Sequence, residues 1–172
     1  MQRRGGVQAM VTGLLIAACL AGLFLVLRGG RADIADPRVQ LRAAEAARYT
    51  PRPIMNRTEF ARFRWLEDWA AGTPYRVFAQ VPYGEVLGTP DRDAFRAINS
   101  KRADILVVDA RGMPVAAIEV QGAGHYQGDA RARDAVKRAA LESAGVPLIE
   151  VLEGTTRAEL IGAVEAAARE AR

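Results

Sequence analysis

The chain has 172 residues, of which 50% are hydrophobic, and a formal net charge of +4. This length allows one domain with an appendage, and the single cysteine excludes a disulfide-stabilised scaffold. Basic and acidic residues are nearly equal in number from Pro53 onward, so the excess positive charge lies near the N-terminus. The high net charge of the chain is therefore not evidence for a strongly basic DNA-binding surface on the domain.

The first predicted element is an apolar helix near the N-terminus. No charged residue occurs from Gly5 to Leu27, and a helix of that length at about 1.5 Å per residue spans the roughly 30 Å core of a bilayer. We therefore predict a transmembrane helix over residues 7–28. More arginines follow this segment than precede it, which predicts a single-pass inner-membrane protein with a cytoplasmic domain. The alternative is a lipoprotein cleaved before Cys19, although apolar residues continue after that cysteine.

A linker is predicted between the membrane segment and the folded domain. Residues 29–53 open with two glycines and close with Pro51-Arg-Pro53, and a short helix is expected over Val39–Arg48. We interpret this stretch as a tether that lifts the domain off the membrane. The alternative is an arginine-rich strip in contact with anionic lipid headgroups. Residues 54–172 then form the domain.

The predicted domain begins with a capped helix. Asn56 followed by Glu59 is the pattern of a capping box, and the apolar face that follows ends at Gly72. Trp65 and Trp69 lie on that face at helical spacing. We interpret them as core residues rather than as a base-stacking surface.

The remaining predicted elements alternate in a pattern typical of an α/β domain. Short runs rich in β-branched residues predict strands, and turn residues separate them. In chain order the predictions are a strand at Tyr75–Val81, a loop region at 82–100 with a helical turn near Asp93–Ile98, strands at Ala103–Val108 and Val115–Val120 joined by a turn at Asp109–Gly112, a helix at Ala130–Ser143, a strand at Pro147–Leu152, and a helix from Thr156 to about Glu170. Thr156 and Glu159 form a second capping-box pattern.

Two strands of the predicted hairpin each carry a carboxylate. Asp104 lies near the start of the first strand and Glu119 near the end of the second, so the antiparallel pairing should make them neighbours. Burial of an unpaired carboxylate is costly, and two close carboxylates raise each other's pKa unless a cation lies between them. Oxygen ligands of this kind suit Mg²⁺. We therefore predict a divalent-cation site at Asp104 and Glu119, with Gln121 and His125 at its rim.

Residues 101–151, KRADILVVDARGMPVAAIEVQGAGHYQGDARARDAVKRAALESAGVPLIEV, resemble the family called domain of unknown function 2726. They are also similar to the restriction-endonuclease-like, or PD-(D/E)xK, superfamily and to its very-short-patch-repair-like nucleases. In that superfamily an aspartate on one strand is followed, one hairpin later, by Glu-x-Lys. The resemblance implies an α/β fold with a mixed sheet flanked by helices. It also implies Mg²⁺-dependent hydrolysis of phosphodiester bonds in nucleic acid.

The resemblance also implies roles for individual residues. Asp104 and Glu119 correspond to the metal-binding acids, and they form the catalytic group with Gln121 and His125. Gln121 stands where the superfamily has its lysine, whose task an uncharged amide performs poorly. The expected supporting residues are Glu59, Lys101, Asp129 and Lys137, and either lysine could replace the missing one.

Three of the supporting residues and Asp104 also have a structural interpretation. Glu59 completes the capping box, Asp129 caps the helix that follows it, and Lys137 on an alanine-rich helix is by default a solvated charge. Asp104 could accept hydrogen bonds from strand-end amides or pair with Arg102.

Two functions are consistent with the sequence. The first is a membrane-anchored, Mg²⁺-dependent nuclease-like enzyme that acts on nucleic acid. The second is a catalytically inactive, membrane-tethered module that binds nucleic acid or protein. The retained carboxylate pair favours the first, whereas Gln121 and the near-neutral domain favour the second.

Overall fold

The computed structural model of the chain describes residues 36–121 and 129–171. Internal contacts divide the chain into two units at the junction of Pro51 and Arg52. The described part of the first unit contains one helix, α1 (Pro37–Ala46). The Asp36 side chain caps this helix by accepting a hydrogen bond of 2.8 Å from the backbone N–H of Arg38.

The predictions that concern a membrane require a correction. Within residues 36–121 and 129–171, no helix is long and apolar enough to cross a membrane. The segment predicted to do so, residues 7–28, lies outside the described residues, as does Cys19. The predicted transmembrane helix, single-pass topology and inner-membrane location are therefore not supported.

The second unit contains a four-stranded mixed sheet and four of the five described helices. The strand order is β1-β2-β3-β4; β1, β2 and β3 pair antiparallel, and β4 pairs parallel to β3. In chain order the elements are α2 (Arg57–Ala70), β1 (Arg76–Pro82), a 3-10 turn (Tyr83–Glu85), α3 (Arg92–Ile98), β2 (Arg102–Val108), β3 (Pro114–Val120), α4 (Asp129–Ser143), β4 (Leu148–Val151) and α5 (Arg157–Glu170). The corrected fold class is an α/β domain, without a membrane-spanning helix in the described chain.

Local sequence signals account for several element boundaries. Both capping boxes are present, at Asn56 with Glu59 for α2 and at Thr156 with Glu159 for α5. The β2–β3 hairpin turns where the Asp109 side chain accepts from the backbone N–H groups of Arg111 and Met113, an arrangement typical of aspartate in turns.

The sheet lies between two layers of helices. Successive side chains of β2 point to opposite faces, and each face has its own core. One core contains α2, α5 and the β2 residues Ile105 and Val107. The second contains the 3-10 turn, α3, α4 and the β2 residues Leu106 and Val108. Because Asp104 has the same parity as Leu106, it belongs to the face covered by α4.

Candidate functional site

Glu119 is the one charged side chain that is buried in the described chain, with 8% of its surface exposed. Each of its carboxylate oxygens accepts a hydrogen bond from a different element. The Tyr83 hydroxyl donates to Oε1 at 2.8 Å, and the Lys137 ammonium donates to Oε2 at 2.7 Å. Burial of this carboxylate is therefore offset by one neutral and one charged donor.

Tyr83 reaches Glu119 because the 3-10 turn is held tightly against neighbouring elements. Its backbone N–H donates to the carbonyl of Lys101 at 2.8 Å, and its side chain is fully buried. A Cβ at Gly84 would lie 2.9 Å from the Cα of Asn99. Only glycine permits this close approach of the two backbones, so Gly84 fixes the position of the preceding tyrosine.

Lys137 comes from the buried side of α4. It lies one helical turn before Leu141, which is buried in the core between α4 and the sheet, and residues four apart share a helix face. The Lys137 side chain is 18% exposed, and its Nζ also lies 3.9 Å from Asp134 Oδ1. The default interpretation of Lys137 as a solvated charge is therefore wrong.

Asp104 lies beside Glu119 on the same face of the sheet. The β2–β3 register pairs Ile105 with Ile118, so the next opposed positions along the strands are Asp104 and Glu119. Asp104 Oδ2 accepts from the backbone N–H of Val120 at 2.9 Å. Its Oδ1 accepts from the Gln80 amide at 3.4 Å. The expected adjacency of the two acids is thus present.

The electrostatics of the site follow from burial and from the charges of its members. Burial raises the pKa of the Glu119 carboxyl, the hydrogen bond from Lys137 opposes this effect, and the charge of Asp104 adds to it. Burial, followed by the charge of Glu119, raises the pKa of the Tyr83 hydroxyl well above its usual range. Tyr83 therefore remains protonated and acts as a donor.

The structure places two of the other predicted residues away from this pair. Glu59 hydrogen-bonds Asn56 in the capping box of α2, which packs on the opposite face of the sheet. The Lys101 ammonium donates to the carbonyl of Ala97 at 2.7 Å. Neither contact links its residue to Asp104 or Glu119.

Part of the predicted site lies outside the described residues. Gln121 follows β3, where its backbone N–H donates to the carbonyl of Val151 at 2.9 Å. His125 lies outside the described residues, and so does the side chain of Asp129, the first residue of α4.

The metal-binding prediction is corrected in one respect. The described residues contain no group of three or more histidine, cysteine, aspartate or glutamate side chains that could hold a metal ion. What they contain is the pair Asp104 and Glu119, with the Lys137 ammonium hydrogen-bonded to one of the two acids.

Sequence reasoning missed Tyr83 and Gln80. Tyr83 lies in a proline- and glycine-containing loop, where nothing in the local sequence marks it as buried. For Gln80 the sequence offers only a weak indication of a role in the site, namely a polar residue near the end of a predicted strand. The spacing of Lys137 and Leu141 on one helix face could have indicated that the lysine points inward.

Sequence comparison finds relatives for most of the domain. Residues 51–167 match the family described as "Protein of unknown function (DUF2726)". The chain is 44% identical over 116 residues to an uncharacterized protein of Haemophilus influenzae, with 66% of this chain and 61% of that protein covered. It is 43% identical over 110 residues to the uncharacterized protein y4bI of Sinorhizobium fredii, with 63% of this chain and 80% of that protein covered.

The chain thus spans about three fifths of the length of the Haemophilus influenzae relative. No solved structure gives a significant match.

Proposed function

The chain belongs to the DUF2726 family of proteins of unknown function, and we propose that its domain is a restriction-endonuclease-like hydrolase of nucleic acid. The proposal draws on the resemblance of residues 101–151 to that superfamily. A mixed sheet flanked by helices, with an aspartate on one strand and a glutamate on the next, is consistent with it.

One observation carries the proposal: Lys137 contacts Glu119 at 2.7 Å on the face that also holds Asp104. The sequence lacks the lysine that the superfamily places two residues after the glutamate, because Gln121 occupies that position. Helix α4 supplies an ammonium group at the same glutamate instead. The site therefore combines two acids and one lysine, the set of groups that the proposed chemistry requires.

The donor set also fits a divalent cation. The charge of Asp104 raises the pKa of Glu119, and the contacts of the two acids include one cationic group, Lys137. Two carboxylates against one ammonium leave a net negative charge, and Mg²⁺ commonly binds proteins through one or two carboxylates. Asp104 and Glu119 are the residues that would hold the ion, which when bound polarises a phosphoryl oxygen and activates a water.

The reaction proposed is hydrolysis of a phosphodiester bond. A water molecule gives up a proton as its oxygen forms a bond to phosphorus, the bond from phosphorus to the leaving oxygen breaks, and the leaving oxygen takes up a proton. Lys137 stabilises the negative charge that develops on the phosphoryl oxygens. Tyr83 keeps Glu119 oriented through its hydrogen bond to Oε1.

A second candidate function is a binding module without hydrolysis. The observation that favours it is that both oxygens of Glu119 already accept hydrogen bonds, from Tyr83 and from Lys137. A carboxylate whose two oxygens are both hydrogen-bonded can stabilise the fold without taking part in catalysis. Under this alternative the domain binds nucleic acid or protein and leaves it intact.

Cleavage assays on the purified full chain separate the two functions. Labelled single-stranded and double-stranded DNA and RNA are incubated with millimolar Mg²⁺ or Mn²⁺, with EDTA as the blank. We expect cleavage by the wild type and a loss of about 100-fold or more in Asp104→Asn, Glu119→Gln and Lys137→Met. Arg138→Met is the matched control, because Arg138 is the next residue on α4 and its ion pair with Glu150 is exposed.

The variants also identify a contaminating nuclease, which would cleave equally in every preparation. Binding of nucleic acid without cleavage in either metal would contradict the hydrolase and support the binding module. Absence of both binding and cleavage would contradict both forms of a nucleic-acid function.

A further inference from the structure

Gln80 has a backbone conformation that is unusual for its residue type. Its φ is +54°, and it is the one non-glycine residue with positive φ in the described chain. The left-handed region crowds the Cβ of L-residues and favours glycine, or asparagine and aspartate among the others. Strained residues of this kind concentrate at functional sites, where the surrounding structure holds them in place.

The strained residue lies directly opposite Asp104. The β1–β2 register pairs Ala79 with Ile105 and Val81 with Ala103, so Gln80 and Asp104 are the opposed residues between these two pairs. This is the one position between Arg76 and Pro82 at which the strand pairing is interrupted. The distortion of β1 is therefore confined to the residue that faces the acid.

The side chain of Gln80 contacts that acid. Its Nε2 lies 3.4 Å from Asp104 Oδ1, while Asp104 Oδ2 accepts from the backbone N–H of Val120. An ionised carboxylate only accepts hydrogen bonds, so the amide presents its N–H to Asp104. The carboxylate is thus held from both neighbouring strands, and Val120 directly follows Glu119.

We infer that Gln80 is a positioning residue, whose amide holds the Asp104 carboxylate beside Glu119 and whose strained backbone brings that amide into reach. The catalytic consequence of this inference rests on the proposed function. The positioning of Asp104 by Gln80 is independent of that function, because the hydrogen bond from Val120 to Asp104 can be measured in the absence of any reaction.

Amide hydrogen exchange measured by NMR on the full chain tests the inference. Gln80→Met removes the amide donor and keeps the length and the backbone constraint, whereas Gln80→Gly removes both the donor and the strain. We expect exchange of the Val120 amide to be about tenfold faster in both variants. Without the Gln80 donor the Asp104 carboxylate is held less firmly, so its hydrogen bond from the Val120 N–H is weakened. The Gln121 amide, which donates to the carbonyl of Val151, is the internal control and should be unchanged.

Asp104→Ala removes the acceptor and sets the upper limit of exchange at Val120. Unchanged exchange at Val120 in both Gln80 variants would overturn the inference. Equal acceleration at Val120 and Gln121 would also overturn it, because the effect would then be general loosening of β3.

The same variants link positioning to turnover. In an active wild type, Gln80→Met should lower kcat with little change in KM, because a misplaced acid affects the transition state more than substrate binding. Unchanged kcat with accelerated Val120 exchange would overturn the catalytic part alone. An inactive wild type with accelerated Val120 exchange would contradict the proposed function and leave the positioning role of Gln80 supported.

Discussion

Glu119 shows how one buried charge organises several elements. Its partners come from the turn after β1 and from α4, and its own strand lies between them in the sequence. Loss of one partner of a buried, hydrogen-bonded charge leaves the other uncompensated, which costs more than the pair itself contributes. The stability of the site therefore depends on Lys137 as well as on Glu119.

Lys137→Met should destabilise the domain by about 2 kcal/mol at neutral pH, because it leaves a buried carboxylate with Tyr83 as its remaining hydrogen-bond donor. Arg138→Met should change the free energy of unfolding by less than about 0.5 kcal/mol, since its ion pair is largely exposed. Urea unfolding followed by circular dichroism measures both. Equal losses in the two variants would mean that Lys137 contributes no more than a surface charge.

The loss in Lys137→Met should depend on pH in a direction set by Glu119. The folded-state pKa of Glu119 is raised by burial, so its contribution to stability is full below its usual pKa and is lost as the pH rises through the raised value. Protonation neutralises Glu119, so loss of the Lys137 ammonium then costs less stability. The destabilisation should therefore be largest above the raised pKa and shrink in acid. A loss that is constant from acid to neutral pH would contradict this coupling.

At the scale of elements, local signals predicted most boundaries and tertiary contacts explain the omissions. The capping boxes at Asn56 and Thr156 and the short apolar runs of β2 and β3 are encoded within a few residues, and these predictions are confirmed. The adjacency of Asp104 and Glu119 followed from hairpin geometry. The sequence named Lys137 as one of two candidate lysines but could not choose between them, and it gave no sign of Tyr83, because the partner of both donors lies on another element.

The hairpin turn provides a prediction at this scale. Gly112 has a φ of +80°, and a Cβ there would meet no atom within 4 Å. Gly112→Ala should therefore destabilise by about 1 kcal/mol through backbone strain alone. Gly154 also has open space but no positive φ, so Gly154→Ala should change stability by less than about 0.5 kcal/mol.

Thermal and urea unfolding of the two alanine variants provide the comparison. A similar loss in both would show that alanine disturbs something other than the left-handed turn at Gly112.

At the scale of the whole molecule, the contacts predict an independently folding domain. The chain divides into two units at the junction of Pro51 and Arg52, and the family match covers residues 51–167. A chain of residues 52–172 should unfold in a single cooperative transition with a free energy within about 5–15 kcal/mol. Coincident urea curves from tryptophan fluorescence and circular dichroism would establish this. A broad transition that differs between the two probes would contradict it.

The two helix layers differ in how far apart along the chain their partners lie. Contacts of the site join residues 16 to 36 positions apart, from Asp104 with Val120 to Tyr83 with Glu119. The opposite layer joins α2 to the C-terminal part of the chain, with Trp69 and Glu165 separated by 96 positions. Because the entropy lost on loop closure grows with the length of the loop, the contacts of the site close shorter loops and lose less entropy than the contact between α2 and α5. During synthesis on the ribosome, every residue of the site from Gln80 to Lys137 therefore emerges before α5, whose buried side chains complete the core on the other face of the sheet.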